Sequence, residues 1–491
     1  MLEDRLYSAR RLYESSPAWA RQAAGSALRT LPSRIRYGPF YGEMRALFRR
    51  HRHADPEDLR ALERRLLGQA IEFAYEHVPF YRRAMRSRGV EPRHIRDRHD
   101  LRLLPLVDKE DLRRHYSELQ SESIRTSDRI YMTTGGSTGE PVGFDLQKGV
   151  CRPKEAAMLE HAWSTAGYHP GDRCGIIRGT VLPPGQAWQE DPAKRSLLLS
   201  SYHLTPDHLP AMLERLRAFR PRFIQAYPSA AEIVARFMLE SKTAPPEGLH
   251  AIFAGSETMR PDQRRLIAEA FQCRVFTWYG HAERVVHAAE CELNRGFHVY
   301  QEYGLMELVD ESGAPLPWET GARGEIVGTA LWNRAMPLLR YRTYDMASVG
   351  ATSCPCRRPY PLLASVEGRL QEYLLASGNR PISTTALNMH CGVYDHVEQV
   401  QFHQRHAGQV ALHYVPRAGF SPDDERAIHV ELSKKLGGDT QLELVPVREI
   451  RPGPNGKRRL VIQEMAIDAL RQVGQSGREA PSAPPATAVS A

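Results

Sequence analysis

The sequence predicts an α/β protein. It would have a large N-terminal domain, built from parallel sheets with helices and a small β subdomain, and a small, mobile α+β C-terminal domain. Its 491 residues exceed what one hydrophobic core usually serves. Between residues 129 and 271, short apolar runs alternate with helical stretches, which is typical of parallel strands joined by helices. After Arg369 a second, shorter pattern of strands and helices begins, and we place a hinge there.

The first part of the chain is predicted to be mainly helical. Apolar residues recur at helical spacing from Asp58 to Met85, which predicts an amphipathic helix that ends near Pro79. Asp108 precedes Lys109 and two further acidic residues, a pattern that suits a helix N-cap and first turn. We therefore expect mostly helices before residue 125.

The central segment supplies the predicted sheets. Predicted strands run from Arg129 to Met132, Gly175 to Ile177, Phe223 to Ala226 and Ile252 to Ala254, and predicted helices from Ala156 to Ala166, Leu209 to Ala218, Ala230 to Glu240 and Gln263 to Phe271. Three later runs are strand-like and separated by turn residues: Val299 to Val309, Gly324 to Thr329 and Pro337 to Tyr344. Their pattern predicts an antiparallel sheet or a small barrel.

The C-terminal segment predicts a compact α+β unit. Its predicted strands run from Tyr373 to Ala376, Val397 to His403, Val410 to Val415 and Gln441 to Val447, and its predicted helices begin at Thr384 and run from Asp423 to Leu436. Residues 474–491 contain almost no large apolar side chain, so burial cannot offset their ordering entropy. We expect this tail to be disordered.

Composition and charge narrow the class of protein. An apolar fraction of 42% and a charged fraction of 25% are typical of a globular chain and exclude a disordered or fibrous one. The first hundred residues hold 21 Arg, no Lys and 13 acidic residues, so the whole net charge of +8 lies there. Such a region could face acidic lipid, nucleic acid or a partner protein. Interspersed acidic residues favour the alternative, a solvated helical surface.

The cysteines and the first residues of the chain indicate the cellular compartment in which the protein is expected. The seven cysteines lack the regular spacing of a secreted disulfide framework, which favours reduced thiols or metal ligands. No stretch approaches the roughly 20 apolar residues of a membrane-spanning helix. The first residues carry charges rather than the apolar run of a signal peptide. These features predict a cytoplasmic protein.

A segment rich in glycine and hydroxyl side chains follows the first predicted strand. It reads Tyr-Met-Thr-Thr-Gly-Gly-Ser-Thr-Gly-Glu-Pro over residues 131–141. Glycines let backbone N–H groups turn toward an anion, and hydroxyls add donors, so the loop suits a phosphate. Gly139 is followed by Glu140 instead of Lys, which excludes a Walker A loop. A plain glycine-rich turn between strands is the alternative.

Five motifs, in the expected order, resemble those of the adenylate-forming superfamily, which includes acyl-CoA synthetases, luciferases and peptide-synthetase adenylation domains. The loop at 131–141 resembles the phosphate-binding signature. Tyr279-Gly280-His281-Ala282-Glu283 resembles the motif that contacts adenine and Mg²⁺, and Tyr341 to Asp345 resembles the segment whose Asp holds the ribose. Gly368-Arg369 is similar to the hinge motif, and Asn455-Gly456-Lys457 resembles the loop that carries the adenylation lysine.

Within the superfamily, the sequence resembles the phenylacetate:coenzyme A ligase group and its CapK-like branch, associated with capsular polysaccharide biosynthesis. The resemblance rests on His77 to Tyr81, Leu104 to Lys109 and Ala335 to Arg342, and extends over roughly residues 70–465. It implies an AMP-binding (adenylation) domain over 71–369 and a C-terminal lid domain over 370–470. The basic helical extension expected over 1–70 and the tail at 474–491 lie outside the resemblance.

The resemblance also implies cofactors and roles. ATP and Mg²⁺ would bind, with coenzyme A as the default acyl acceptor. Catalytic roles fall on Lys457, Glu283 and Arg369. The implied cofactor-binding residues are Thr133, Thr134, Gly135, Gly136, Ser137, Thr138, Gly139, Ser256, Glu257, Tyr279, Gly280, His281 and Asp345.

Three positions depart from the family pattern. Ala282 replaces the usual Thr of the adenine motif, Tyr344 replaces the Gly before the ribose Asp, and Glu372 stands where the hinge Asp is usual. Each change alters a detail of nucleotide geometry. Because the implied catalytic and ribose-binding residues persist, we expect an active enzyme.

A second group of residues suits a metal ion. Cys354 and Cys356 flank one proline, and Cys291 and His298 precede them by about sixty residues, a donor set that structural Zn²⁺ prefers. The CapK-like pattern resembles this too. His281 or His287 could replace His298, and unrelated buried thiols are the alternative. The remaining cysteines, Cys151, Cys174, Cys273 and Cys391, are expected to be ordinary core residues.

These features predict an ATP-dependent ligase that converts a small carboxylic acid to an acyl-adenylate and passes the acyl group to coenzyme A. One alternative acceptor is an amine or hydroxyl in polysaccharide or natural-product biosynthesis. Another alternative is a non-catalytic interaction protein that contacts a membrane or protein through its Arg-rich N-terminus; no nucleic acid is expected. The resemblance implies that the acid binds near Phe253 to Glu257 and Tyr227 to Ser229, whose residue types do not identify it.

Overall fold

The computed structural model of the chain describes residues 16–31, 33–134, 142–183, 185–310, 312–367, 373–377, 381–383, 387, 392–451 and 460–465. Its α-helices are α1 (Ala18–Thr30), α2 (Ser33–Arg36), α3 (Pro39–His51), α4 (Pro56–His77), α5 (Pro79–Ser87), α6 (Lys109–Arg114), α7 (Tyr116–Leu119), α8 (Cys151–Trp163), α9 (Leu209–Phe219), α10 (Pro228–Glu240), α11 (Pro261–Phe271) and α12 (Pro422–Leu436). Among the described residues, no helix is both long and apolar enough to cross a membrane.

The strands are β1 (Arg129–Thr134), β2 (Val142–Gln147), β3 (Cys174–Arg178), β4 (Trp188–Asp191), β5 (Ser196–Ser200), β6 (Phe223–Ala226), β7 (Ala251–Gly255), β8 (Arg274–Gly280), β9 (His287–Glu290), β10 (Phe297–Val299), β11 (Gly304–Val309), β12 (Arg323–Ala330), β13 (Tyr341–Val349), β14 (Leu362–Glu367), β15 (Tyr373–Leu375), β16 (Pro381–Ser383), β17 (Val397–His406), β18 (Gln409–Pro416), β19 (Gln441–Pro446) and β20 (Val461–Gln463).

The predicted break at Pro79 separates two helices. The side chain of Asp55 accepts a hydrogen bond from the backbone N–H of Glu57 and caps α4. Val78 precedes the proline, and its φ of −121° lies outside the helical region. Residues before proline commonly adopt such an extended conformation. Pro79 then serves as the first residue of α5, where its missing N–H costs nothing.

A twelve-stranded mixed sheet forms the centre of the large domain, in the order β11-β12-β13-β14-β10-β9-β8-β7-β6-β3-β5-β4. Strands β5, β3, β6, β7 and β8 are parallel, as the alternation of strands and helices predicts. From β8 onward the pairs that join β9, β10, β14, β13, β12 and β11 are antiparallel. The late strands therefore continue the parallel sheet. The expected antiparallel arrangement of these late strands is confirmed, but they extend the same sheet and do not form a barrel, because β9 pairs directly with β8.

Two faces of this sheet are covered by different helices. Consecutive strand residues point to opposite sides, so Phe223 joins one hydrophobic cluster and Ile224 the other. Helices α9, α10 and α11 cover the face of Ile224. Helix α8 and the N-terminal helices α3 and α4 cover the face of Phe223.

The N-terminal helices are part of the large domain's core. Tyr41 and Phe48 of α3 are 3% and 0% exposed, and Tyr41 donates a hydrogen bond to Glu160 of α8. Glu160 also pairs with Arg45 at 2.6 Å. The expected boundary at residue 70 falls inside α4, whose side chains on both sides of that point pack in the same cluster.

The bounds of two predicted strands are wrong. The run from Val299 to Val309 contains the last residue of β10 and all of β11, separated by a turn in which Tyr303 N–H bonds to Tyr300 O at 3.0 Å. The strand predicted from Pro337 begins only at Tyr341. The preceding Arg340 has a φ of 51°, which interrupts an extended backbone. Among the strands that the structure describes, β1 and β2 pair with each other in a separate two-stranded sheet.

The C-terminal unit contains a four-stranded sheet in the order β19-β18-β17-β20, beside α12. Its predicted strands and the helix after Ser421 are confirmed, with Ser421 as the N-cap. Residues 384–386 and 388–391 lie outside the described residues, as does the start of the helix expected from Thr384. Tyr202 and Tyr227 of the large domain pack against this unit's hydrophobic cluster, and Tyr131 donates to Asp395 at 3.0 Å.

Candidate active site and metal centre

The carboxyl ends of the parallel strands meet at one edge of the twelve-stranded sheet, the usual place for a ligand site in α/β proteins. Ser256 and Glu257 directly follow β7, and His281 and Glu283 follow β8, which ends at Gly280. The sequence motifs therefore converge on this edge because of the order of the strands.

Glu283 is 7% exposed, and both of its carboxylate oxygens have partners. The hydroxyl of Tyr341 donates to Oε1 at 2.7 Å, and Nδ1 of His281 lies 3.0 Å from Oε2. Burial alone would raise the pKa of Glu283, but the His281 hydrogen bond, the charges of His281 and Lys109 and the Tyr341 hydrogen bond lower it to about 2. Glu283 is therefore an ionised carboxylate at neutral pH. We call Glu283 with His281 and Tyr341 the Glu283 site.

Asp345 lies beside this site on β13. The hydroxyl of Tyr279 donates to Asp345 Oδ2 at 2.8 Å, and the backbone N–H of Asp345 bonds to Thr343 Oγ1 at 3.2 Å. Burial and the charge of Asp345 raise the pKa of Tyr279 well above its usual value, so the hydroxyl keeps its proton. The structure thus brings together Tyr279, Glu283 and Asp345, from two motifs more than sixty residues apart.

Tyr344, at the position where the family pattern has Gly, has a φ of 61°. This left-handed conformation is the one that Gly adopts readily and a bulky residue adopts with strain of about 1 kcal/mol or more. The Tyr344 hydroxyl donates to Asp108 Oδ2 at 2.9 Å, and its N–H bonds to Glu325. Asp108 is itself the N-cap of α6, as predicted. These contacts hold the backbone before Asp345 in a glycine-like conformation.

A buried lysine under the turn after Glu283 was not identified from the sequence. Lys154 of α8 is 1% exposed, and its Nζ donates to the carbonyls of Arg284 and Tyr303 at 2.9 and 3.2 Å. Burial lowers the pKa of Lys154 to about 8. Arg284 has a φ of 55°, so the lysine fastens a left-handed turn directly after Glu283. The one feature of the sequence that could have indicated its burial is the position of this lysine in an apolar helical run.

Glu257 and Ser256 have different surroundings. Glu257 is 9% exposed and accepts from the N–H and hydroxyl of Ser229, at 2.9 and 3.0 Å. Ser256 is exposed, has a φ of 70° and accepts a hydrogen bond from Arg178. Arg178, the last residue of β3, was also not identified from the sequence.

Cys291, His298, Cys354 and Cys356 form the Cys/His cluster. Their four potential ligand atoms lie within 4.8 Å of one another. The sulfurs of Cys291 and Cys354 are 3.8 Å apart, and Cys356 Sγ lies 3.4 Å from His298 Nε2. Ligand atoms at about 2.3 Å from a tetrahedral Zn²⁺ are about 3.8 Å apart, so these residues fit a zinc ion. Of the three histidines considered, His298 joins the cysteines, since His281 contacts Glu283.

The β10 hairpin explains this grouping. His298 pairs with Ala289 of β9 and with Leu362 of β14, so it lies between the strand that leads to Cys291 and the strand that follows Cys356. Cys151 and Cys174 are buried and Cys273 is partly buried, all apart from this cluster.

Several predicted site residues lie outside the described residues. They are Gly135, Gly136, Ser137, Thr138 and Gly139 of the glycine-rich loop, Arg369 and Glu372 at the hinge, Lys457, and Cys391. Thr133 is buried in β1, and Thr134 ends that strand. The structure therefore describes β1, the strand that leads into the glycine-rich loop.

Comparison with known proteins identifies relatives of the chain. Residues 374–464 match the CapK C-terminal domain family. The phenylacetate-coenzyme A ligase of Thermus thermophilus is 29% identical over 327 residues, 66% of this chain and 73% of that protein. The corresponding ligase of Pseudomonas putida is 27% identical over 82% of this chain and 93% of its own length. Protein CapK of Staphylococcus aureus is 21% identical over 83% and 90%.

Solved structures identify the fold. A 2-hydroxyisobutyryl-CoA ligase in complex with 2-HIB-AMP and CoA has a TM-score of 0.59 and 22% identity, covering 87% of this chain and 94% of that one. The same ligase in its postadenylation state has a TM-score of 0.56. The fold is that of the adenylate-forming ligases. The resemblance to phenylacetate-coenzyme A ligases and CapK is confirmed, and the C-terminal unit contains the segment that matches the CapK C-terminal domain model.

Proposed function

We propose that this chain is an ATP-dependent ligase that activates a carboxylic acid as its acyl-adenylate and transfers the acyl group, with coenzyme A as the acceptor. The observation that carries the proposal is the group of Tyr279, Glu283 and Asp345 at the carboxyl edge of an adenylate-forming fold. Several sequence relatives bear the name phenylacetate-coenzyme A ligase, which supports the reaction type.

In this proposal Glu283 holds Mg²⁺. A hard divalent cation prefers oxygen ligands, and Glu283 offers an ionised carboxylate whose oxygens each retain a free lone pair beside their hydrogen bond. Bound Mg²⁺ supplies Lewis-acid stabilisation of phosphate charge. Tyr341 and His281 orient the carboxylate, and Lys154 fixes the turn behind it.

The remaining nucleotide contacts are assigned by the motifs. Asp345 would accept hydrogen bonds from the ribose hydroxyls, with Tyr279 fixing its rotamer. Tyr279 would border the adenine with Gly280 and His281 beside it, Ser256 and Glu257 would lie between the nucleotide and the acid, and residues 133–139 would donate to the phosphates. Lys457 and Arg369 are assigned from the resemblance alone; Lys457 would neutralise charge on the α-phosphate.

Two covalent steps follow. In the first, a carboxylate oxygen of the acid bonds to the α-phosphorus, and the bond from that phosphorus to the bridging oxygen breaks, releasing diphosphate. In the second, the acceptor sulfur bonds to the acyl carbon as its proton leaves to solvent, and AMP departs with the electron pair. Displacement of the C-terminal domain about the segment near Arg369 would separate the two steps.

An amine or hydroxyl group as the acyl acceptor is supported by a different observation. The C-terminal unit matches the CapK C-terminal domain, and Protein CapK aligns over 83% of this chain. An amine or hydroxyl acceptor is therefore the alternative to coenzyme A. Acyl-adenylate formation is common to both, so only a screen of acceptors distinguishes them.

We also propose that the Cys/His cluster binds a structural Zn²⁺. Four N and S donors at tetrahedral spacing leave no open position for a substrate, which is typical of structural sites. The ion would tie the β9–β10 hairpin to the loop before β14.

The function is tested by ATP-dependent diphosphate release over a panel of aryl, fatty and sugar-derived acids, with hydroxylamine to trap the acyl-adenylate. We expect release with one acid class in the wild type and its loss in Glu283→Gln. Glu240→Gln, a change at an exposed helix end, is the matched control and should keep full activity. Mg·ATP binding without release from any acid would contradict the proposal.

A further inference from the structure

Arg178 is a cation at the edge of the sheet where the acid is expected. It ends β3, and β3, β6, β7 and β8 are consecutive parallel neighbours, so their carboxyl ends form one continuous edge. The guanidinium reaches past Tyr227, which follows β6, and donates to Ser256, which follows β7. It thus joins the carboxyl ends of β3 and β7 beside the segments where the acid is expected.

Two aromatic rings flank this guanidinium. Its Cζ lies 4.7 Å from the ring centre of Tyr227 and 5.9 Å from that of Trp278. Both rings lie beside glycines: a Cβ at Gly255 would lie 2.6 Å from Trp278, and one at Gly179 would lie 3.5 Å from the Tyr227 hydroxyl. The aromatic walls are therefore set by backbone contact, and Ser256 on the open side is exposed.

In the part of the chain that the structure describes, no acidic side chain pairs with Arg178. Within the described residues it makes no salt bridge, and its Nε is buried without a hydrogen-bond partner. The neighbouring acid, Glu257, is engaged by Ser229 through both oxygens. A buried donor left unpaired costs about 1–3 kcal/mol, and a carboxylate can accept from a guanidinium through two parallel bonds.

We infer that Arg178 binds a second carboxylate of the substrate, so that the enzyme activates dicarboxylic acids. The inference rests on the proposed function. One carboxylate would lie toward the Glu283 site to meet ATP, and the other would pair with Arg178 on the far side of Trp278. An acid with an unsubstituted apolar end would instead cover the guanidinium without satisfying it, which disfavours plain aryl or fatty acids.

The test compares matched acids in the full-length enzyme. The pairs are hexanoate with adipate, and phenylacetate with 4-(carboxymethyl)benzoate. We expect the wild type to release diphosphate with a kcat/KM at least about tenfold higher for the dicarboxylic member of a pair. Arg178→Met should lower that kcat/KM by at least about 30-fold, mainly through the KM of the acid, and leave the monocarboxylic member within about threefold.

Two further variants control the experiment. Arg178→Lys keeps the charge and should restore part of the preference. Arg173→Met removes a guanidinium stacked at 4.5 Å on Phe219 near the opposite end of β3, and should leave the preference unchanged. Thermal unfolding of each variant monitors folding.

Each contrary result has a distinct meaning. Equal losses for both members of a pair in a folded Arg178→Met variant would overturn the inference, while leaving the ligase function in place. A raised KM for ATP or coenzyme A with an unchanged KM for the acid would also overturn it, since Arg178 would then bind a phosphate. Absence of diphosphate release with every acid would overturn the proposed function, and the inference with it.

Discussion

The Glu283 site and the Cys/His cluster lie on neighbouring parts of one sheet, but their polar atoms have different kinds of partner. Both oxygens of Glu283 have hydrogen-bond partners, and a buried lysine supports the turn behind it. The ligand atoms of the Cys/His cluster instead face one another, with two sulfurs 3.8 Å apart. The first site is organised by the protein alone. The second brings four potential metal-ligand atoms within 4.8 Å of one another.

The largest expected effect comes from removing one ligand of the Cys/His cluster. Cys354→Ser should abolish zinc binding and lower the free energy of unfolding by more than about 4 kcal/mol, because metal-binding energy contributes directly to folding. Elemental analysis and urea unfolding measure the two. Cys273→Ser, outside the cluster, is the control. Zinc-free wild-type protein with undiminished stability would mean that the thiols pack without an ion.

The next effect concerns acid stability at the Glu283 site. The folded-state pKa of Glu283 is about 2, below its usual value of 4.5. Its stabilising contribution is therefore complete above about pH 4.5 and is lost as the pH falls toward 2, a change of roughly 3 kcal/mol for a shift of this size. Urea unfolding of the wild type and Glu283→Gln between pH 6 and 3 measures it. Parallel pH profiles of the two proteins would contradict an ionised, paired Glu283.

Lys154→Met tests the support beneath that site. The change leaves the carbonyls of Arg284 and Tyr303 buried without their donor, so stability should fall by roughly 2–3 kcal/mol. Diphosphate release should also fall, because the turn after Glu283 loses its anchor. Lys148→Met, at an exposed position, is the control. A variant with reduced stability but unaltered Mg²⁺ dependence would limit Lys154 to a purely structural role.

The smallest effect is expected at Tyr344. Tyr344→Phe removes only the hydrogen bond to Asp108 and should cost about 1 kcal/mol. Tyr344→Gly removes the same bond but also removes the backbone strain of the positive φ, so the loss of stability in this variant should be partly offset. Thermal unfolding compares them. If Gly were far more destabilising than Phe, ring packing and not backbone strain would control this position.

The sequence identified residues that carry recognisable chemistry in an ordered series. Glu283 and Asp345 lie together as their motifs implied, and the cysteines meet His298. Most strands and helices of the parallel part and of the C-terminal unit were also predictable, since each depends on a local pattern.

Features that depend on long-range pairing were not predictable. The continuity of the twelve-stranded sheet requires β10 to pair with β14, more than sixty residues later. Arg178 and Lys154 gain their importance from neighbours that only the folded topology supplies. For the same reason, deletion of residues 1–60 would not isolate an Arg-rich extension, because it would remove Tyr41, Phe48 and Leu59 from the core.

The continuous sheet makes the large domain a single cooperative unit. Strands β8, β9 and β10 are direct neighbours, so the hairpin that carries Cys291 and His298 shares its backbone hydrogen bonds with the strand that leads to Glu283. Among the described strands, the pairing of this sheet is unbroken from β11 to β4. Calorimetry should therefore record one transition for this domain, and stripping the metal should shift that transition without splitting it.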